Sequence, residues 1–450
     1  MEKKRVSFKR TLTLSHVILF GLAYMTPMVV FGTYGVMAEL TKGIVPVAYI
    51  IALTAMLFTA YSYGEMVKAY PVSGSAYTYT RKSISPQLGF LIGWSVLLDY
   101  LFLPMVIWLI GSVYLNAVFP SVPSWVWIVA FIVLTTTINL IGTKVMKNVN
   151  LLMMAFQLLV LFLFLVLCSV NIIQGTGVGT LFSMEPFMSG DASFSLLLAG
   201  ASVACYSFLG FDAVSTLSEE TINPKKTIPK AILLITFIGG GIFIFSSYFL
   251  YLVFPHYTEF QNIDSAAFEI ARLIGGNLFS ALFLAGLIIA QFASGLTAQT
   301  SAARLMLAMG RDSVLPKKLF GYIHPASHTP VFNLFFIGCI ALLALTFDIT
   351  TSTSFINFGA FATFIFVNLS VIAHYYVKGK KRGGKHFVLY LLLPAIGASL
   401  DIWLFLNLDK NALILGSLWA AIGFIYLLFL TKFFKKQPPE INFEEAEEAV

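Results

Sequence analysis

Apolar runs, each about as long as a bilayer is thick, follow one another from residue 14 to residue 434 and leave few folds open to this chain. A bilayer core of about 30 Å is crossed by about 20 apolar residues in a helix. With 58% hydrophobic and only 11% charged residues, 450 residues cannot face water as a set of soluble domains. The solvent for most of the chain is lipid. The runs predict an all-α integral membrane protein with twelve spans, at roughly 14–40, 44–67, 87–118, 124–143, 150–173, 194–218, 229–254, 276–307, 330–348, 353–377, 387–407 and 411–434. Lys3, Lys4, Arg5, Lys9 and Arg10 precede the first run. Pro27 interrupts that run and no small-residue cleavage site follows, so it reads as a span and not as a cleaved leader. Cys168, Cys205 and Cys339 lie far apart in apolar runs, a pattern of neither a disulfide framework nor a metal site.

The net charge of +7 matters less than where it sits. With the N-terminus inside, 25 of the 28 Lys and Arg residues fall in or beside inner connections, and only Lys42, Arg272 and Lys410 lie outside. This is the positive-inside asymmetry. It predicts a multi-pass protein of the cytoplasmic membrane with both termini cytoplasmic, and it makes a nucleic-acid partner unnecessary. The acidic residues 440–448 read as a solvated end.

Two spans are weak. Gly21-Leu-Ala-Tyr-Met-Thr-Pro27 interrupts the first, and Ser207-Phe-Leu-Gly-Phe-Asp212 interrupts the sixth at similar depth. Breaks at positions one and six, in a chain whose first ten spans divide five and five, are the pattern of an inverted-repeat transporter. The expected organisation is a tail at 1–13, five-helix repeats at 14–173 and 194–377, two extra helices at 387–434, and an acidic tail at 435–450. An unwound segment is tolerated in a membrane only where protein buries it or where it lines a wet cavity, so its freed backbone groups become ligands. Ala23, Tyr24, Met25, Thr26, Ser207 and Gly210 are therefore candidate substrate-binding residues. The alternative is that Gly and Pro merely kink these helices, as they do commonly in membranes. Residues 69–77 and 309–316 are candidate inner gate elements and 264–276 a candidate outer lid, or all three are ordinary connections.

An ionised side chain at the bilayer centre costs about 2.5 to 3.5 kcal/mol on insertion scales. Asp99, Asp212 and Asp401 fall inside spans three, six and eleven, with no Lys or Arg at comparable depth. Each is either protonated or partnered by a proton, a metal ion or a cationic substrate. Asp212, expected at the head of the second half of the broken sixth helix, is favoured there by the helix dipole and by free amides. Asp99 reads as a second substrate acid or as an acid bonded to a neighbouring helix, and Asp401 as structural. Glu219 and Glu220 read as capping or gate residues. Tyr24, Tyr100 and Tyr206 lie beside a break or an acid, where a ring face can hold an ammonium or simply pack. The six histidines lie at span ends or in loops, so no buried metal or proton-relay cluster is expected.

The motifs Gly21 to Pro27, Pro71-Val-Ser-Gly-Ser-Ala-Tyr77, Ser207 to Asp212, Glu219-Glu-Thr-Ile-Asn-Pro-Lys-Lys-Thr-Ile-Pro-Lys-Ala231 and Met309-Gly-Arg-Asp312 resemble the amino acid–polyamine–organocation superfamily from about residue 10 to 436. Residues 93–104 and 210–221 look most like the bacterial putrescine importers within it. The resemblance implies an inverted five-helix repeat, substrate between helices 1, 3, 6, 8 and 10, and proton-coupled uptake. It also implies that Tyr206 is an aromatic gate and Asp212 an acidic site residue. Where some members place a Lys in the fifth helix, this chain has Gln157, which cannot titrate, so Asp99 and Asp212 become the proton-coupling candidates. The expected function is secondary import of a diamine such as putrescine, with import of an amino acid as the alternative. A membrane enzyme would need a signature such as a P-loop, HExxH or GxSxG, and the chain has none. No cofactor or metal is expected.

Overall fold

The computed structural model describes residues 10–72, 74–141, 146–188, 193–311, 313–324 and 329–439. Among them, regular structure is helical apart from one isolated bridge between Leu12 and Thr221. The helices in order are α1 (Leu14–Met25), α2 (Val29–Leu40), α3 (Val45–Ala69), α4 (Ser75–Ser83), α5 (Pro86–Val118), α6 (Ser124–Ile141), α7 (Met146–Ile173) and α8 (Phe194–Ala204). There follow α9 (Pro224–Val253), α10 (Ala266–Arg311), α11 (Lys317–Phe320), α12 (Val331–Ala341), α13 (Ile349–Val371), α14 (Gly384–Phe387), α15 (Leu393–Leu406) and α16 (Lys410–Leu430). The first amides of a helix have no intrahelical partner, and polar residues stand ready for them. Ser85 accepts from the Leu88 amide at 3.2 Å ahead of α5, Asp348 from Thr351 at 2.7 Å ahead of α13, and Asp409 from Asn411 at 3.0 Å ahead of α16.

Nine helical stretches among the described residues are long and apolar enough to cross a bilayer, and α1 with α2 passes the same test as one element bent by 46°. The α6 helix and the stretch Val331–Leu345 are apolar but shorter. The outward faces carry bare apolar side chains: Leu152 and Phe162 on α7, Phe237 on α9 and Phe429 on α16 are 73%, 63%, 62% and 79% exposed. Such a surface suits lipid and not water. The chain is a multi-pass helical membrane protein.

The first span breaks inside the expected segment Gly21–Pro27, at Thr26, while Gly21 itself packs on Ile235 and Val214; later spans depart from the sequence-based expectations. In the sixth, no α-helix follows the break. The α8 helix passes into short 3₁₀ turns, Cys205–Phe208 and Ala213–Glu219, on either side of Gly210. The residues expected as an inner connection, 69–77, run into α4, and those expected as an outer segment, 264–276, form the start of α10, set off by a non-helical Gly276 at φ 60°. The turn before α10 lies on α2, because a Cβ at Gly35 would collide with the Ile263 carbonyl.

The last helices are tied to the rest by polar contacts. The indole of Trp94 in α5 donates to the carbonyl of Trp419 in α16, and the indole of Trp419 donates to the carbonyl of Trp94, both at 3.0 Å, with the rings stacked 4.9 Å apart. Asp401 of α15, fully buried, accepts from Thr59 of α3 at 2.7 Å and from Asn368 of α13 at 3.0 Å. This agrees with a structural part for Asp401. At the end of the bundle that carries the N-terminus, Thr11 and Leu12 amides donate to the Glu220 carbonyl and the Ile222 amide donates to Leu12, at 2.9 to 3.0 Å. The Glu219 side chain and Asp312 lie outside the described residues.

Candidate functional site

The two breaks meet. At Thr26 the backbone enters the left-handed region (φ 57°, ψ 98°), its amide bonding back to Leu22 at 3.0 Å and its hydroxyl donating to the Ala23 carbonyl at 3.3 Å. Pro27 has no amide to continue α1, and the chain restarts at Val29. At Gly210 φ is +112°, a conformation that L side chains rarely adopt. The ring of Tyr24, from the first break, lies where a Cβ at Gly210 would stand.

From Tyr24 the cluster spreads to α5 and α3. The Tyr24 hydroxyl hydrogen-bonds that of Tyr100, the neighbour of Asp99, and Tyr24 is within electrostatic reach of both Asp99 and Asp212. Asp99 and Asp212 are also within reach of each other. All four residues lie deep in the bundle, yet each keeps part of its surface accessible, so they border an internal space. Asp99 Oδ1 is buried with no hydrogen-bond partner, which does not match an acid bonded to a neighbouring helix through that atom. The one ion pair among the described residues is Lys68 with Glu65, at 2.5 Å, well away from these acids in sequence and on the last turn of α3.

Asp212 is held differently from the expectation. It stands before a 3₁₀ segment of seven residues, so no α-helix dipole supports it. The backbone amides of Gly210, Asp212 and Ala213 face its carboxylate, and Tyr63 of α3 donates to its Oδ2 at 3.4 Å. Tyr63 was not among the sequence candidates. Its own setting is aromatic: Tyr79, Phe211 and Phe364 meet its ring edge-on at 5.9 to 6.2 Å. The available signal was a tyrosine among small and polar residues, Tyr61-Ser-Tyr-Gly-Glu65, inside an otherwise apolar span.

Other candidates fall outside this cluster. Tyr206 is buried but within electrostatic reach of Asp99. The Ser207 hydroxyl is engaged with Tyr49 of α3 at 3.1 Å. The Met25 side chain packs on Gly239 of α9, so only its backbone is near the break. Gln157 is buried in α7 and its Oε1 has no partner. Among the described residues, no three His, Cys, Asp or Glu side chains are grouped to hold a metal.

A family model described as amino acid permease matches residues 16–437. The chain is 46% identical over 437 residues to the low-affinity putrescine importer PlaP of Escherichia coli strain K12, covering 97% of each. It is 26% identical to the branched-chain amino acid permease BcaP of Bacillus subtilis, over 95% of this chain and 94% of that one. Among solved structures, an outward-open, substrate-bound Na+-coupled sialic acid symporter superimposes with a TM-score of 0.52 over 90% of both chains at 12% identity, a likeness of fold.

Proposed function

This chain belongs to the amino acid permease family, and on that footing we propose that it imports putrescine or a related polyamine across the cytoplasmic membrane as a secondary transporter. The observation that carries the reading is the convergence of Asp99 and Asp212 on one internal space with no Lys or Arg bonded to either among the described residues. Two carboxylates facing one space of low dielectric repel each other, and a dication relieves the repulsion at both ends. Tyr24 and Tyr100 supply ring faces and hydroxyls between the acids. Tyr206, buried beside this cluster and within electrostatic reach of Asp99, is the candidate gate. The inside-negative potential adds about 2.3 kcal/mol per charge per 100 mV toward uptake.

The amino-acid alternative fits less well for a physical reason. A substrate carboxylate would need free amides at the broken helices, and those of Gly210, Asp212 and Ala213 already face the Asp212 carboxylate. The substrate named for the 46% identical relative agrees with the cation reading.

In this reading the chain crosses the membrane twelve times, with repeats at 14–173 and 194–377, extra helices at 387–434, and both tails, 1–13 and 435–450, in the cytoplasm. The packing of α3 on α9, α5 on α10 and α6 on α12 supports the repeat, since these pairs join elements five spans apart, as a pseudo-two-fold axis near the bundle centre would. Proton coupling falls to Asp99 or Asp212, because Gln157 cannot titrate. The test is uptake of labelled putrescine into proteoliposomes under separately imposed pH and voltage gradients, with amino acids as competitors. Uptake driven by either gradient and displaced by diamines is expected. Displacement by amino acids alone would reverse the assignment.

A further inference from the structure

The C-terminal tail leaves the described structure at a fixed place. Beyond α16 the chain turns through residues 431–436, Pro438 is buried, and the Arg81 guanidinium of α4 donates to the carbonyls of Pro438 and Pro439 at 3.4 to 3.5 Å. Arg81 and α4 in turn are part of the inner packing: Gly89 of α5 lies against the Arg81 backbone, and Ser75 bonds Ser215 of the sixth span at 2.8 Å.

Beside this anchor lies an exposed basic face. Lys378 Nζ donates to the carbonyl of Lys82, the residue after Arg81, at 3.4 Å. Lys82 lies over the ring of Tyr70, Lys381 over those of Tyr375 and Tyr390, and Arg382 over that of Tyr376. Lys380 and Lys385 extend the same exposed connection, and residues 371–400 contain no acid. Glu65 of α3 is buried and paired with Lys68, so it does not neutralise this face. The chain that continues from Pro439 holds Glu440, Glu444, Glu445, Glu447 and Glu448 in eleven residues, with no Lys or Arg.

We propose that residues 440–448 dock on this basic face, bridging α4 to the connection between α13 and α15. Nine extended residues reach about 30 Å, and the anchor at Pro438 and Pro439 is one residue from Lys82, so reach is ample. A tether this short also holds the local concentration of the tail at the millimolar level, which favours it over free anions. The competing occupant is the anionic headgroup layer of the inner leaflet. The tail's own negative charge is repelled by that layer, and the anchor places the tail at the face first.

The test is crosslinking of Ala446→Cys to Gly383→Cys in a full-length protein with Cys168, Cys205 and Cys339 replaced, a pair that leaves every charge in place. No atom lies within 4 Å of a Cβ built at Gly383, so that thiol is accommodated. A short bifunctional thiol reagent is applied in nanodiscs of neutral lipid and of phosphatidylglycerol, with folding checked by size-exclusion behaviour. Crosslinking is expected in both lipids, and loss of it when Glu440, Glu444, Glu445, Glu447 and Glu448 are changed to Gln or when salt is raised to 1 M, where screening acts within about 3 Å. Crosslinking no stronger than that of Ala446→Cys with Lys410→Cys overturns the proposal. So does crosslinking that survives the Gln changes, or that forms in neutral lipid and vanishes in phosphatidylglycerol, in which case the face belongs to the leaflet.

Discussion

The ring of Tyr24 occupies the position that a Cβ at residue 210 would take, so Gly210 is the point at which the two helix breaks touch. Gly210→Ala should therefore suffer twice, from a φ of +112° and from collision with the ring. Uptake should fall by roughly fivefold to a hundredfold, for a cost of about 1 to 3 kcal/mol in backbone strain alone. Adding Tyr24→Ala should return only the steric part of the folding loss, read as thermal stability in detergent. A Gly210→Ala protein that folds and transports like the parent would mean the breaks do not rely on this contact.

Asp99→Asn and Asp212→Asn test the paired carboxylates. Each change keeps size but removes an attraction to an ammonium about 4 Å away that is on the order of 4 kcal/mol at an effective dielectric of 20. Desolvation offsets part of it, leaving roughly tenfold to a hundredfold in affinity. Each mutant should also recognise a monoamine of matched length relatively better than wild type does, because one ammonium site remains. Equilibrium binding of both amines is the measurement; putrescine binding unchanged in both mutants rules out the pair.

Tyr63→Phe isolates one hydrogen bond. The ring contacts with Tyr79, Phe211 and Phe364 survive, while Asp212 loses its one side-chain donor. At 3.4 Å this bond is long, so it contributes about 0.5 to 1.5 kcal/mol, and the apparent substrate constant should rise by roughly twofold to tenfold with thermal stability little changed. An equal loss of stability and affinity would mark Tyr63 as a packing residue instead.

Tyr206→Phe should keep most uptake and Tyr206→Ala should raise the substrate constant, if the ring face is what closes over the amine. Equal damage from both would point to the hydroxyl. Neither having an effect would return Tyr206 to the buried core in which it sits.

Topology follows from the charge asymmetry. Cysteines placed at 68–82, 144–147 and 378–385, in a background lacking the native three, should react with impermeant thiol reagents only from the cytoplasm. Labelling of any of them on intact cells would invert the orientation. Residues 142–145 lie outside the described residues, so the middle segment is tested on sequence grounds alone.

Much of the architecture was legible because lipid imposes a simple demand: every apolar run must be a helix long enough to cross. Pro27 and Gly210 pointed to the breaks because each stands close to a polar residue, Thr26 and Asp212, in an apolar span; Pro104, without such a neighbour, stays inside α5. Their fine placement was not legible. Within Gly21–Pro27 the sequence does not say which residue leaves the helix; Thr26 does, and Gly21 stays helical against Ile235 and Val214. Asp99 and Asp212 stood out as costly charges. Tyr63 did not, because a tyrosine in an apolar span is common and only the fold reveals that its hydroxyl reaches Asp212. Met25 and Ser207 were named by adjacency to a break, and adjacency along the chain does not fix which way a side chain turns.

The reciprocal indole bonds between Trp94 and Trp419 join residues 325 positions apart, one on an early helix and one on the last. Without α16 the Trp94 indole loses its acceptor, and an unpaired donor is costly in a medium that offers no water. Truncation before the last helix therefore does more than remove one packing surface: it leaves a polar group of α5 unsatisfied, so the final span is held to the bundle by hydrogen bonds as well as by ring contact.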